Sequence, residues 1–354
     1  MSAPEQLLTV TGLTKRFGDR HGIVDRVRRR PPPVLTALDG VDLQVAPGET
    51  LGVVGESGSG KSTLARCIMR LHEPEEGSVV FDGEDVLAAG PAQLRALRRS
   101  IQMVYQDPYT SLNPRLRVGA AVAEPALVHG LIEKGEEEKY AGDLLERVGI
   151  RRESLRRLPH EFSGGQRQRV AIARALALEP RMLIADEAVS ALDVSIQAQL
   201  LSLLEEIRRD LGLTIIFIAH QLAVISRLAD RVAIMYLGRI VETGATADVF
   251  ANPRHPYTQA LLEAHPRLDG TRVRKPAVRT ETPSQYSIPS GCRFHPRCPL
   301  AEGVCAEVDP PELEVASTAG GHRSACHVLP LQDRPAALNA TSIAATEPNS
   351  QEEK

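Results

Sequence analysis

The sequence predicts an α/β fold built on a parallel sheet covered on both faces, and three observations carry that prediction. Stretches such as "TLGVVGE" (50–56), "RMLIADE" (181–187) and "TIIFIAH" (214–220) are apolar throughout, as strands buried on both faces must be. Between them run segments with apolar residues three and four apart, "GQRQRVAIARALAL" and "SIQAQLLSLLEEIRRDLG", which is the helical period. A chain of 354 residues, 42% hydrophobic and 25% charged, can bury a core of the size such a fold needs.

Taken in order, the first ninety or so residues alternate β-rich runs with turns: "LLTVTGLT", "VLTALDGVDLQV", "TLGVVGE" and "SVVFDG". The basic, Pro-rich "RHGIVDRVRRRPPPV" between the first two reads as a surface loop, with "RVRRR" (26–30) a solvated charge run. A helix should follow "GKST" (61–71), and residues 117–178 read as mainly helical. Pro, Arg and His then rise from about residue 250. The final "LQDRPAALNATSIAATEPNSQEEK" has the composition of a disordered tail.

Several classes of function are disfavoured by the totals. A formal net charge of −3 supplies no positive field for phosphate backbones, and 3% aromatics without Trp supply no base-stacking platform, so no nucleic-acid partner is expected. The N-terminus lacks a basic region followed by an apolar one, and "LGLTIIFIAHQLAVIS" (211–226) is too short and too polar to span a bilayer. A cytosolic chain with reduced thiols is expected.

"GESGSGKST" (55–63) lies between an apolar strand and a helix, the context a phosphate-binding P-loop requires. Gly55, Ser57, Gly58 and Gly60 let backbone N–H groups turn inward around phosphate oxygens. Lys61 would reach the β/γ-phosphates, Ser62 would offer its hydroxyl to Mg²⁺, and Thr63 opens the helix. Asp186 and Glu187 end a buried strand, where the first can hold Mg²⁺ through water and the second can polarise an attacking water. Between them stands "FSGGQRQR" (162–169), in which a Ser and two Gly open a helix and so present a second anion site.

With these motifs in this order the chain closely resembles the ATP-binding subunits of ABC transporters. Ser163, Gly164, Gly165 and Gln166 match the family's signature sequence, which closes over ATP held by the P-loop of a second subunit. The resemblance implies a P-loop NTPase fold with a mixed sheet and a helical subdomain. It implies a Q-loop glutamine at Gln106 that contacts Mg²⁺ or water beside the membrane subunit, and a D-loop "SALD" whose Asp193 crosses the dimer interface. It further implies a switch histidine at His220 and, at Phe17, an aromatic ring stacked on adenine. Two departures are Ala188, where the family usually has Pro, and "AHQ" around His220 in place of Ser-His-Asp; neither removes a residue with an assigned role.

"DPYTSLNPR", "LPHEFSGGQRQR" and "NPRHPYTQALL" are similar to the oligopeptide/dipeptide importer ATPases of bacteria. That resemblance implies an ATPase on the cytoplasmic face of the membrane, paired with a second homologous ATPase and two permeases, and served by an extracytoplasmic peptide-binding protein. Related systems carry nickel, opines or glutathione. A soluble ABC ATPase acting on ribosomes or chromosomes is the competing class, but those carry two ATPase modules or long coiled coils, and this chain has one module and no sustained heptads. The expected division is an ATPase domain over 1–250, with a helical subdomain at about 107–178, an extension over 251–330, and the tail at 331–354.

Four of the five cysteines, Cys292, Cys298, Cys305 and Cys326, gather in the extension, separated by five, six and twenty residues. No pair has C-x-x-C spacing, and buried thiols often serve as small apolar residues. Related importer ATPases look to hold a [4Fe–4S] cluster on cysteines in this pattern, and four thiolates suit that cluster or Zn²⁺. Cys67, on the helix after the P-loop, reads as core.

Overall fold

The computed structural model describes residues 6–18, 34–107, 112–190, 192–264, 283–315, 317 and 320–328. The charged loop at 19–33 and the tail at 331–354 thus lie outside the described residues. The chain divides into two compact units, residues 1–239 and 240–354.

The first unit holds two sheets. β1 (Leu8–Gly18) pairs antiparallel with β2 (Val34–Val45), Leu8 opposite Val45 and Gly18 opposite Val34. Its other edge carries β4 (Glu76–Phe81), which pairs in turn with the short β5 (Glu84–Asp85). The second sheet is parallel, in the order β9-β3-β8-β7-β6. Its strands are β3 (Thr50–Val54), β6 (Ile101–Val104), β7 (Met182–Asp186), β8 (Thr214–Ala219) and β9 (Arg231–Tyr236). Every residue of β3, β7 and β8 is buried, which is why those runs carry no polar alternation.

Helices connect and cover these strands. α1 (Lys61–Ile68) follows β3, and α2 (Pro91–Ser100) leads into β6. A helical cluster follows, formed by α3 (Val118–Val128), α4 (Glu137–Arg147) and α5 (Gly164–Leu176), whose small and aliphatic buried faces pack on one another. α6 (Val194–Leu211) is the longest described helix and stops at Gly212, whose φ of 62° ends it in the left-handed conformation. α7 (Leu222–Leu228) joins β8 to β9.

The register of the parallel sheet positions everything that follows. Val54 of β3 lies opposite Ala219 of β8, Ile218 of β8 opposite Asp186 of β7, and Ala185 of β7 opposite Val104 of β6. Four adjacent strands therefore finish within two residues of one another, and the residues just beyond them emerge along one edge. Ligands of open parallel sheets bind at this carboxyl edge.

The second unit contains β10 (Arg239–Ala245) from Ile240 onward, α8 (Thr246–Ala251), α9 (Pro256–Glu263), α10 (Gly303–Glu307), β11 (Glu312–Glu314) and β12 (Arg323–Ala325). β12 lies between β10 and β11, with Glu242 opposite Ser324. Its core is aromatic: Phe294 packs on Tyr257 and on His255, with ring centroids 5.5 and 5.9 Å apart. The carboxylate of Glu242 is fully buried and accepts from the backbone N–H groups of Arg254 (2.7 Å) and His255 (2.9 Å), while His322 Nε2 stands 2.8 Å away. One carboxylate thus fastens the start of α9 and the strand pair β11–β12 to β10.

Candidate active site

Beyond β3 the backbone turns through Gly55–Gly60, and no other residue type would allow its path. A Cβ on Gly55 would lie 2.1 Å from the Met235 carbonyl oxygen, and one on Gly60 2.3 Å from that of Ala37. Gly58 and Gly60 also take φ of 78° and 108°, which L residues rarely adopt. α1 then begins without a side-chain cap, so its first N–H groups remain free to meet an anion. Ser57 and Gly58 are exposed at the rim of the loop. Ser62 and Thr63 are half-buried in the first turn of α1.

Lys61 is the pivot of the loop. Only 4% exposed, its Nζ donates to the carbonyl oxygens of Gly55 (2.8 Å) and Glu56 (2.9 Å) and to Ser59 Oγ (3.3 Å). Burial pushes its pKa down, while the charges of Glu187, Asp186 and Glu56 pull it back up. The Ser62 hydroxyl donates to Asp186 Oδ1 at 2.9 Å, tying the first turn of α1 to the end of β7. Burial pushes the Asp186 pKa up, opposed by the Ser62 hydrogen bond and by Arg66 and Lys61.

Glu187 follows immediately, with φ of 48°. Its backbone N–H donates to the Ile218 carbonyl at 3.0 Å, and its own carbonyl accepts from the N–H and hydroxyl of Ser190. That left-handed turn aims the side chain across the sheet edge. Gln106 Nε2, two residues beyond β6, donates to Glu187 Oε2 at 3.1 Å, and His220 Nδ1, just beyond β8, lies 3.4 Å from the same oxygen. A carboxylate held between an amide and an imidazole, beside a second carboxylate and a buried ammonium, can orient and deprotonate water next to a phosphate and hold a hydrated cation.

Ser163–Gln166 and Asp193 make none of these contacts. Ser163 caps α5 reciprocally with Gln166: the Gln166 N–H donates to Ser163 Oγ (3.3 Å), and Ser163 N–H donates to Gln166 Oε1 (3.0 Å). Gly164 and Gly165 face Leu192 and Ile196, so this second helix start stands beside the exposed Asp193. The site expected from the sequence is therefore split. Lys61, Ser62, Gln106, Asp186, Glu187 and His220 come together at the sheet edge, while Ser163–Gln166 and Asp193 form a separate surface.

Residues 38–190 match the family described as ABC transporter, and residues 241–305 match the C-terminal region of the oligopeptide/dipeptide transporter. A "Probable peptide ABC transporter ATP-binding protein" of Sinorhizobium fredii is 48% identical over 92% of this chain and 90% of its own. The chain belongs to the peptide ABC transporter ATP-binding family. The oligopeptide transport ATP-binding protein AppF of Bacillus subtilis is 44% identical over 92% of this chain and 98% of its own length. A glutathione import ATP-binding protein of Pectobacterium atrosepticum is 50% identical over 77% of this chain and 43% of its own. Among solved structures, an ATP-binding cassette in a dimeric post-hydrolysis state bound to ADP and phosphate superposes with a TM-score of 0.59 at 28% identity, covering 68% of this chain and 98% of that one.

As an ATPase of this family the chain carries two site members outside the expected set. Ser59 accepts from Lys61, and Ser190 pins the Glu187 carbonyl. Both sit inside motifs legible in the sequence, "GSGKS" and "SALD". Phe17, at the end of β1, is half-buried and packs edge-to-face on His72.

The matched C-terminal region, residues 241–305, contains Cys292, Cys298 and Cys305, and Cys326 lies beyond it. Cys292, Cys305 and Cys326 are buried, Cys298 is half-buried, and none forms a disulfide. Burial pushes the thiols of Cys292, Cys298 and Cys326 up, the last to about 12, and Cys326 feels the charge of the other three. Among the described residues, no group of three or more His, Cys, Asp or Glu side chains is placed to hold a metal ion. Arg293 and Arg297 are buried in the same loop. Cys67 is fully buried on α1, as its position in the core demands. No helix among the described residues is long and apolar enough to cross a membrane.

Proposed function

We propose that this chain is the ATP-hydrolysing subunit of an importer for di- and oligopeptides, with residues 1–250 as its ATPase domain and 251–330 as an importer-specific extension. The observation that carries the reading is the meeting of Lys61, the Ser62–Asp186 pair and the Gln106–Glu187–His220 trio at the ends of four parallel strands. Gly55, Ser57, Gly58, Gly60 and Thr63 cradle the phosphates of ATP through the backbone, Lys61 bridges the β- and γ-phosphates, and Phe17 stacks on adenine. Ser62, Asp186 and Gln106 would hold Mg²⁺, which would neutralise charge on the phosphates. Glu187 draws the proton from the attacking water, and His220 contacts the γ-phosphate as it leaves.

Ser163, Gly164, Gly165, Gln166 and Asp193 act on a second subunit. Their separation from the P-loop within one chain supports a head-to-tail dimer in which each signature helix closes over the other subunit's ATP. The partner ATPase is a homologous chain, and two permeases dock beside Gln106. A cleft of about 430 Å³, lined by Gln102, Val104, Tyr105, Pro125 and Val128, lies next to that glutamine and suits a short permease helix. An extracytoplasmic binding protein delivers the peptide to those permeases, at the far side of the membrane from this subunit. The glutathione-importing relative supports a second cargo for the same machinery.

Replacing Glu187 by Gln tests the central claim. ATP and Mg²⁺ should still bind, while hydrolysis, measured as phosphate release with the partner subunits present, should fall at least about 100-fold. Undiminished turnover would remove Glu187 from the role of base.

A [4Fe–4S] cluster, or Zn²⁺, on Cys292, Cys298, Cys305 and Cys326 is a second reading, which rests on the gathering of four thiols in one segment of the sequence. The described geometry does not fit a single metal ion, and protonated, buried thiols already serve as apolar packing. Anaerobic purification followed by iron, sulfide and zinc analysis distinguishes the two. Metal-free protein that folds and hydrolyses ATP leaves the cysteines as packing residues.

A further inference from the structure

The nucleobase end of the site has a second ring that no motif marks. His72 follows the last turn of α1, where the N–H groups of Leu71 and His72 both donate to the Arg66 carbonyl, at 2.7 and 3.2 Å. Its imidazole meets Phe17 with ring centroids 5.3 Å apart and planes at 81°, the edge-to-face arrangement that aromatic quadrupoles favour. Lys15 Nζ lies 5.1 Å from the centre of the same Phe17 ring. Two neighbours thus set the plane of the phenyl ring, and one of them stands in the turn that follows the helix whose other end forms the phosphate cradle.

The surrounding loop is bolted to β1. The Glu75 N–H donates to the Thr14 carbonyl (2.9 Å), and Lys15 Nζ donates to the Glu73 carbonyl and the Glu75 carboxylate, both at 2.7 Å. The backbone N–H of Arg16 donates to Glu75 Oε2 at 2.6 Å, and its guanidinium donates to Glu76 at 3.0 Å. These contacts hold residues 14–17 against residues 72–76, so His72 does not drift from Phe17. Burial, with the charges of Arg66 and Lys15, pushes the His72 pKa down, so the ring facing Phe17 is neutral imidazole at physiological pH.

We propose that His72 is a positioning residue for the nucleobase: it holds the Phe17 ring in the plane that stacks on adenine and thereby raises affinity for adenine nucleotides from outside the phosphate cradle. The inference rests on the stacking role given to Phe17 above. It assigns the loop after the P-loop helix a part in nucleotide recognition that is distinct from phosphate binding. A ring at this position orders Phe17 before the nucleotide arrives, so less side-chain entropy is lost on binding.

The test compares ADP with pyrophosphate, which occupies the phosphate cradle alone. Calorimetric affinities are measured on the full chain and on Phe17→Ala, His72→Ala and His72→Phe, with thermal melts to confirm folding. His72→Ala should weaken ADP by about three- to ten-fold and leave pyrophosphate unchanged, and His72→Phe should restore ADP to within about two-fold. Equal weakening of ADP and pyrophosphate would place the effect in the phosphate helix and overturn the proposal. ADP binding unchanged in His72→Ala but weakened in Phe17→Ala would also overturn it, leaving the stacking role intact. Unchanged binding in Phe17→Ala would remove the stacking role itself. Should His72→Ala fail to fold, His72→Gln keeps the polar atoms without the ring and reads the same ratio.

Discussion

Asp186 illustrates a site residue kept where folding alone would not place it. It is 5% exposed, and burial holds its pKa above the ordinary carboxylate range. The folded chain therefore binds a proton there more readily than the unfolded chain does. Stability is lost as pH rises through the window between the unfolded and the raised folded value, and at neutral pH the ionised group is a net cost. Asp186→Asn keeps an oxygen to accept from Ser62 and removes the charge. Its nucleotide-free melting temperature at neutral pH should exceed that of the unaltered chain by a few degrees, while Mg²⁺-dependent hydrolysis falls at least about 100-fold. A melting temperature equal to or below that of the parent would show that the charge is fully compensated by Lys61 and Arg66.

At the scale of elements, α9 is the opposite case, a structural device with no part in the chemistry. His255 stands at its N-cap, accepting from the Tyr257 N–H through Nδ1 at 3.0 Å, and burial pushes its pKa down to about 4. Because the folded value lies below the unfolded one, the stability His255 confers is present above pH 6.5 and is lost as pH falls toward 4, by roughly 3 kcal/mol in total. His255→Asn retains a capping oxygen without a titration. Thermal melts between pH 7 and pH 4 should show a steeper loss for the parent chain than for this variant, and parallel curves would refute the assignment. This part of the fold was the least legible in the sequence. β3, β7 and β8 announce themselves because burial on both faces demands unbroken apolar runs. By contrast β11 and β12 are three residues each, and their placement depends on His322 meeting Glu242, eighty positions away, which no local period encodes. Phe294 likewise finds His255 and Tyr257 only through tertiary packing.

For the whole molecule, the split between the P-loop cluster and the signature surface sets the prediction. The Glu187→Gln chain with ATP and Mg²⁺, alone or mixed with a homologous ATPase subunit, should elute as a dimer in size-exclusion chromatography. Ser163→Arg, which sets a bulky cation at the start of α5, should return it to monomer. Persistent dimers in the double variant would separate association from the signature. Lys61 is legible from the P-loop pattern, and Asp186 and Glu187 as carboxylates ending an apolar run, whereas Gln106 and His220 are picked out only by the order of the family's motifs. The Phe17–His72 contact was not legible, since a ring at a strand end and a histidine after a helix carry no joint pattern.

The near-level finish of β3, β8, β7 and β6 has a consequence for how such a chain can vary in length. One residue inserted within β7 would move Glu187 along by about 3.3 Å and turn every side chain beyond the insertion to the opposite face of the sheet. Ten residues added to a crossover on the far edge would cost only loop entropy, on the order of 1 kcal/mol. Insertion and deletion are thus forbidden in the strands and in the P-loop and contact-making segments at their carboxyl ends, and cheap in the loops at the opposite edge. The sheet acts as a ruler, and only the loops at its other edge are free to lengthen.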